Sequence, residues 1–259
     1  MPPSVAERIA TPEGKRRYVR ALFATIAGRY DFITVALSYG QDRRWKRRLI
    51  RIAAPGPGSR VLDLATGTGD IAFAAAARGA EVVGVDITLG MIELAKLKAA
   101  RGFQASGSRD VSDDAGGRSP ERLALRFIVG DMLALPFPAA SFDIVTTGYG
   151  LRNVPDLTSA IDEIRRVLKP GGRLVSLDFN RPANALVRAV YLAYLTVVGG
   201  ALGWILHRDP DTYRYIPASI RQYPGAAAVA DLLRERGFSR ARYHLVLGGL
   251  MAINDAVKS

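Results

Sequence analysis

Ten consecutive residues, Val61-Leu62-Asp63-Leu64-Ala65-Thr66-Gly67-Thr68-Gly69-Asp70, combine the residue types that a cofactor-binding turn requires. An apolar run with one acid in it drops into a glycine turn, and a helix-forming run over 71–77 follows. The glycines let the backbone turn sharply and approach a ligand that a Cβ would hold off. Gly67-Thr68-Gly69-Asp70-Ile71-Ala72 satisfies the spacing of the dinucleotide fingerprint, in which a pyrophosphate sits at the helix N-terminus. Here Asp70 stands at that point, with Asp63 close behind the loop. Two carboxylates repel a pyrophosphate. They suit a phosphate-free ligand with a cationic centre, and S-adenosylmethionine (SAM) is such a ligand.

Three further positions complete a set. Asp86, with Ile87 beside it, ends the next apolar run, where a carboxylate can accept from both hydroxyls of a ribose. In Gly130-Asp131-Met132, Asp131 can accept from an adenine amino group and Met132 can cover the ring. Thr147-Gly148-Tyr149-Gly150-Leu151-Arg152-Asn153 follows a fourth apolar run. Each has a plainer explanation by itself: Asp86 as a helix N-cap, Asp131 as a turn cap, Tyr149 as core, Arg152 as a surface charge. What those explanations leave unaccounted for is their shared place, at the carboxyl ends of successive strands, where ligands of α/β sheets bind.

The elements that must position them read as follows. Residues 18–27 and 32–39 are helical by apolar spacing, and Asp42 is a candidate N-cap for a helix to Ala53. On that helix Trp45, Leu49 and Ile52 share a face flanked by Arg43, Arg44, Lys46, Arg47, Arg48 and Arg51, which reads as a solvated surface helix or as a basic amphipathic helix on lipid headgroups. Pro55-Gly56-Pro57-Gly58 breaks the chain. Strands over 60–64, 81–86, 125–129, 142–147 and 173–177 then alternate with helices over 71–78, 89–100 and 157–168, with a turn at Lys169-Pro170-Gly171-Gly172. A helix over 226–236 and two apolar runs around Gly248-Gly249 predict a final hairpin. The expected fold is α/β and Rossmann-like: a mostly parallel seven-stranded sheet, helices on both faces, the last strand antiparallel. Residues 102–122, poor in apolar side chains, are expected to be a flexible insertion. Residues 186–206 are marginal for a membrane span, with Gly199 and Gly203 in GxxxG spacing; a helical cover over a lipophilic pocket is the favoured reading.

With no cysteine and only His207 and His244, disulfides, thiolate zinc sites, Cys nucleophiles and histidine-rich metal sites are excluded, and no metal is expected. The net charge of +12 favours an anionic partner, a membrane face or nucleic acid, or else serves general solvation. Residues 1–14 lack the apolar core of a signal peptide and read as a polar, loosely ordered lead, so the expected compartment is the cytoplasm.

From Phe23 onward the chain resembles the quinone-biosynthesis C-methyltransferases, class I SAM-dependent enzymes acting on ubiquinone and menaquinone precursors. The marks are Arg29-Tyr30-Asp31, Asp42-Arg43-Arg44-Trp45-Lys46, the 61–70 turn, Leu135-Pro136-Phe137-Pro138, Phe142-Asp143, Gly150-Leu151-Arg152-Asn153-Val154, residues 167–172, Asp178-Phe179-Asn180-Arg181-Pro182, Asp211-Thr212-Tyr213-Arg214-Tyr215 and Ser219-Ile220-Arg221. The resemblance puts cofactor contacts on Thr68, Asp86, Asp131 and Met132, beside Asp63, Gly67, Gly69 and Ile87. Gly148 replaces a usual serine, and Ala252-Ile253-Asn254 a usual Ala-Leu-His. It implies SAM-dependent methylation of a polyprenylated quinol ring, with demethylmenaquinol leading and 2-methoxy-6-polyprenyl-1,4-benzoquinol, or another lipophilic small molecule, as alternatives. Arg152 would stabilise a phenolate and Tyr149 orient the ring, while Tyr30, Asp31, Tyr213, Arg214 and Arg221 would close the pocket. Residues 1–54 would be a helical segment facing substrate or membrane and 55–259 the methyltransferase domain, covered by 183–224. Partners would be the quinol, an anionic membrane on the inner face of the cell, and a homodimer or quinone-biosynthesis complex. A nucleic-acid partner has only the charge in its favour, and a dinucleotide reductase is opposed by Asp70.

Overall fold

A computed structural model describes residues 4–102 and 124–259; the insertion expected over 102–122 lies, Gly102 apart, outside them. The chain opens with helices α1 (Val5–Arg8), α2 (Pro12–Ile26), α3 (Tyr30–Leu37) and α4 (Asp42–Ala53). The alternating part runs β1 (Arg60–Leu64), α5 (Asp70–Ala76), β2 (Glu81–Asp86), α6 (Leu89–Ala100), β3 (Leu125–Val129), β4 (Phe142–Gly148), α7 (Leu157–Val167) and β5 (Leu168–Phe179). Then come α8 (Ala185–His207), α9 (Asp211–Gln222), α10 (Ala226–Glu235), β6 (Phe238–Val246) and β7 (Met251–Lys258).

The seven strands form one sheet in the order β3-β2-β1-β4-β5-β7-β6. β1 to β5 pair in parallel, and β7 runs antiparallel between β5 and β6. The expected Rossmann-like sheet is therefore present. From β1 the chain moves outward to β2 and β3, then returns to the other side of β1 as β4. That reversal is the topological switch point at which α/β sheets open a crevice. Both faces of the central strands are covered, so β1, β2 and β4 are mostly buried and apolar, whereas the edge strand β6 leaves Ser239, Arg240, Arg242, Tyr243 and Leu245 exposed. On one face Leu49 of α4, Phe73 of α5 and Ile92 of α6 pack on Val61 and Val82; on the other, Ile161 and Ile164 of α7 and Val229 of α10 pack on Leu62 and Val145.

Three expectations are corrected. The N-terminal lead is ordered from Ser4: Ser4 and Glu7 form a reciprocal capping box, and Thr11 caps α2, which starts on Pro12. These are standard helix-start signals that outweigh local polarity, and Val5 and Ile9 bury against the same cluster as Tyr213 and Tyr215. Asp42 is the first residue of α4 rather than its cap, because its carboxylate turns inward to Tyr149 and Lys46. The turn at residues 169–172 is absorbed into β5 as an irregularity, where the register against β4 shifts between Phe142 and Ile144.

The apolar helix α8 is long enough to cross a membrane. Its small residues are nonetheless used inside the molecule. Gly199 meets the backbone of Tyr213, and Gly203 meets Asp209 and Pro210, so α8 and α9 pack closely. The opposite face leaves Leu186, Val190, Val197, Trp204 and Ile205 exposed. A Cβ on Gly203 would lie 2.5 Å from the Asp209 carbonyl oxygen. Gly→Ala in an open helix gains about 1 kcal/mol, but here the backbone has no room. Gly203→Ala is expected to lower stability by about 1–3 kcal/mol, read as an earlier midpoint in urea denaturation.

Candidate active site

The loop after β1 is held from three sides. Thr66 N–H donates to Val85 O at 3.0 Å, Gly67 N–H to Asp86 Oδ2 at 2.9 Å, and Gly69, at φ +94°, caps α5. Asp86 also accepts from Thr88 N–H at 2.9 Å. The carboxylate of Asp86 thus fastens β2 to the glycine loop, and each oxygen keeps a second lone pair. Burial pushes it above the usual carboxylate range, with the two backbone N–H groups pulling it back. Asp63 lies beneath the loop and is fully buried; Thr66 donates to it at 2.6 Å and Thr146 at 2.7 Å. It ties β1, β4 and the turn together and does not reach the crevice.

Of the residues expected around a cofactor, Gly67, Asp86, Ile87, Asp131, Met132 and Gly148 line one crevice over the switch point, with Tyr30 and Tyr149. The α2 residues Arg16, Val19 and Phe23, missed from sequence, form its outer wall. Arg16 pairs with Asp131 at 2.6 Å, across a distance in sequence that no local pattern spans. A Cβ on Gly148 would meet Ile71 Cδ1 at 2.7 Å, so Ile71 fills the space a serine side chain would take.

Asp70 is not the bare acid the sequence suggested. Lys46 Nζ lies 2.9 Å from its Oδ2 and Lys98 Nζ 3.6 Å from its Oδ1. Burial alone would raise Asp70, but the two ammonium groups hold it below the usual carboxylate range. Thr68, placed on the cofactor by resemblance, donates to Asp31 at 2.6 Å and accepts from Lys98 at 2.8 Å. Asp31 itself pairs with Lys98 at 2.5 Å and lies outside the apolar cavity where it was expected to contact substrate.

That cavity adjoins the crevice and has a volume of about 230 Å³. Phe23, Tyr30 and Tyr149 form the shared wall. The rest is almost wholly apolar, from Leu22, Ile33, Trp45, Phe179, Leu195 and Met251 among others, and its mouth lies at Tyr39, Tyr194 and Leu247. Tyr213 and Arg152 line it as expected; Arg214 and Arg221 do not. Those two sit on the far side of α9, in a shallow depression with Ser4 and Val5, because the helix turns Tyr213, Ile216 and Ile220 inward. Arg152 is 5 % exposed. Its Nε lies 3.0 Å from Asp178 Oδ1, in an ion pair too bent for a hydrogen bond, and Nη1 donates to Ser219 at 2.7 Å and Asn153 at 3.0 Å. Its guanidinium stacks 4.8 Å over Phe179.

A switch-point crevice with two carboxylates for hydroxyl and amino donors, an apolar Met132 and no uncommitted cation among the described residues fits SAM and opposes a diphosphate. Fold and site together define a SAM-dependent methyltransferase. Residues 11–258 match the model of the ubiE/COQ5 methyltransferase family. The chain is 40% identical over 236 residues to a demethylmenaquinone methyltransferase of Thermus thermophilus, covering 90% of this chain and 98% of the relative. It is 35% identical over 250 residues to the ubiquinone/menaquinone biosynthesis C-methyltransferase UbiE of Cereibacter sphaeroides, covering 95% and 93%. In fold it is similar to a SAM-dependent methyltransferase of Thermotoga maritima, with a TM-score of 0.61 at 17% identity over 93% of this chain and 100% of that one. The chain belongs to the ubiE/COQ5 methyltransferase family.

Burial pushes Asp63 up to about 6, the Thr66 and Thr146 hydroxyls restraining it. A carboxyl raised on folding favours the native state when protonated. That advantage is complete below the unfolded pKa near 4 and is lost as pH rises through 6. Asp63→Asn removes the titration. Between pH 4 and 7 its stability relative to the parent is expected to improve by about 3 kcal/mol, whatever constant offset the altered hydrogen bonds add. Urea denaturation of both proteins across that range measures it.

Proposed function

We propose that this enzyme methylates a ring carbon of a polyprenylated naphthoquinol, converting demethylmenaquinol to menaquinol. The observation that carries the reading is the large apolar cavity that shares Phe23, Tyr30 and Tyr149 with the cofactor crevice. An acceptor placed there lies beside the methyl donor, between aromatic side chains that line both spaces, so that the ring carbon can come into direct contact with the methyl group. The names of the relatives support the naphthoquinol, and the name of the Cereibacter relative keeps the ubiquinone precursor as a second acceptor. When bound, SAM supplies a methyl group already activated on a sulfonium.

The protein must then make the quinol nucleophilic. A quinol hydroxyl has a phenol-like pKa near 10, and this cavity works against its ionisation. Burial pushes Tyr30 up to about 12 and drives Tyr191 and Tyr215 upward too; at each of them the Arg152 charge acts in the opposite direction. The same field stabilises a quinolate. Removing Arg152 alone strands the buried Asp178, so the informative variant is Arg152→Gln with Asp178→Asn, which removes the pair together. It is expected to bind S-adenosylhomocysteine within a few-fold of the parent and to lose about 100-fold in turnover, measured by calorimetry and by methyl transfer. Parent protein offered both quinol types side by side tests the acceptor: preferential methylation of the naphthoquinol supports the reading, and preference for the benzoquinol replaces it.

The isoprenoid tail of such a substrate lies in a bilayer, and we place the enzyme in the cytoplasm against the inner face of the membrane. Phe32, Tyr39, Val190, Val197, Trp204 and Leu247 are exposed, Tyr39 and Leu247 among them lining the cavity, and α4 presents Arg43, Arg44, Arg47, Arg48 and Arg51 outward. Apolar side chains with nearby arginines suit an anionic surface. The protein is expected to co-sediment with anionic liposomes at low salt and to release at high salt, whereas neutral liposomes retain little.

A further inference from the structure

One carboxylate in the site has no part in the scheme so far. Asp42, on α4, is 2 % exposed and accepts from Tyr149 Oη at 2.6 Å. Its other oxygen lies 2.7 Å from Lys46 Nζ. Lys46 continues to Asp70 at 2.9 Å, Asp70 to Lys98 at 3.6 Å, and Lys98 to the half-exposed Asp31 at 2.5 Å. An unbroken line of alternating charge therefore runs from the tyrosine between the two cavities to the protein surface. Burying a carboxylate against a neutral phenol is costly unless the pair has a use or is well compensated, and here Lys46 supplies the compensation.

Tyr149 lines both the crevice and the cavity, and among the described residues it is the one residue lining both whose hydroxyl is bonded to a buried carboxylate. Resting on the quinol reading above, we propose that Tyr149 and Asp42 are the proton relay of the methyl transfer, with Tyr149 Oη taking the quinol proton as it passes its own to Asp42 Oδ1. The quinol O–H bond breaks and its electron pair is released into the ring. The ring carbon forms its bond to the methyl group as the S–CH3 bond breaks, and the sulfur keeps that electron pair. The ring C–H proton then leaves to water as aromaticity returns, and the relay hands its proton back to the ring oxygen. One proton is released per methyl group, and Asp42 is regenerated as a carboxylate. Burial, reinforced by the Asp42 charge, holds the Tyr149 phenol neutral well above its ordinary range, so it transfers a proton only by handing one on. The other groups facing the pair are Tyr30 on α3, Lys46 on α4 and Asp178 on β5.

Tyr149→Phe, Asp42→Asn and Asp42→Glu test this, with S-adenosylhomocysteine affinity and melting temperature as folding controls. Tyr149→Phe keeps the ring and removes only the hydroxyl, so it decides the matter if Asp42→Asn is unstable. At pH 7, Tyr149→Phe and Asp42→Asn are expected to lose at least about tenfold in kcat with KM for the quinol nearly unchanged. Their kcat should then climb by up to about tenfold per pH unit above pH 7, as hydroxide takes the quinol proton that the relay no longer accepts, and the gap to the parent should narrow. Asp42→Glu should recover part of the loss. A Tyr149→Phe enzyme with the parent's kcat and pH profile overturns the relay while leaving quinol methylation intact. A parent protein that methylates neither quinol overturns the acceptor reading and the relay with it.

Discussion

The turn that follows β4 governs both cavities. Tyr149 is held there at φ +62°, a left-handed conformation that a bulky residue adopts only when its surroundings impose it. Three hydrogen bonds do so. Its N–H donates to Leu177 O at 2.7 Å, its carbonyl accepts from Asn153 Nδ2 at 2.7 Å, and its hydroxyl reaches Asp42. The next residue has no freedom either, since a Cβ on Gly150 would lie 2.3 Å from Thr147 Oγ1. This bend swings the tyrosine ring between crevice and cavity and sends Leu151–Asn153 into a single 3-10 turn that buries Arg152. The Gly-Leu-Arg-Asn string is thus one mechanical unit in which Asn153 clamps the strained residue and Arg152 occupies the position so created.

Most of the sheet was legible because parallel strands buried on both faces have a plain signature: apolar runs closed by an acid or a glycine. The carboxyl-end positions of Asp86, Asp131 and the 147–153 string follow from that alternation alone. The helix-start signals of Ser4 to Glu7 and Thr11-Pro12 were equally present, and overall polarity masked them. Arg214 and Arg221 are a case of phase. Seven residues apart, they share one face of α9, and tertiary packing decides the phase: Tyr213 and Ile216 turn to the cavity while Arg214 lies along Gly200 of α8. The partners of Asp70 were beyond reach, because Lys46 lies 24 residues away on an element whose docking no local pattern specifies.

That last point changes the argument about the cofactor. The glycine turn was read as hostile to a diphosphate because two acids crowd it. In the folded protein Asp63 is buried under the turn and Asp70 is neutralised by Lys46 and Lys98. Asp131 is likewise paired, with Arg16, so the discrimination rests instead on Asp86, which faces the crevice, and on α5, whose first turn already holds Asp70 and its lysine partners. A helix N-terminus that carries its own counter-charged pair has no electrostatic need left for a bound phosphate.

A site for a lipophilic phenol faces a conflict. Room for an isoprenoid chain requires apolar walls, and apolar walls raise the cost of the anion that makes the ring carbon nucleophilic. The tyrosines around the cavity register that cost in their upward shifts. A buried ion pair at the wall brings charge to this lining. Arg152 lines the cavity but is almost fully buried, packed on Phe179 and Tyr215, balanced by Asp178 and oriented by Ser219, so it brings a positive field to the wall with little exposed polar surface. Asp42 is placed behind Tyr149, compensated by Lys46. Arg152 and Asp42 are each in contact with an aromatic side chain of the lining, Phe179 and Tyr149, so charge sits beside a surface that is mostly apolar.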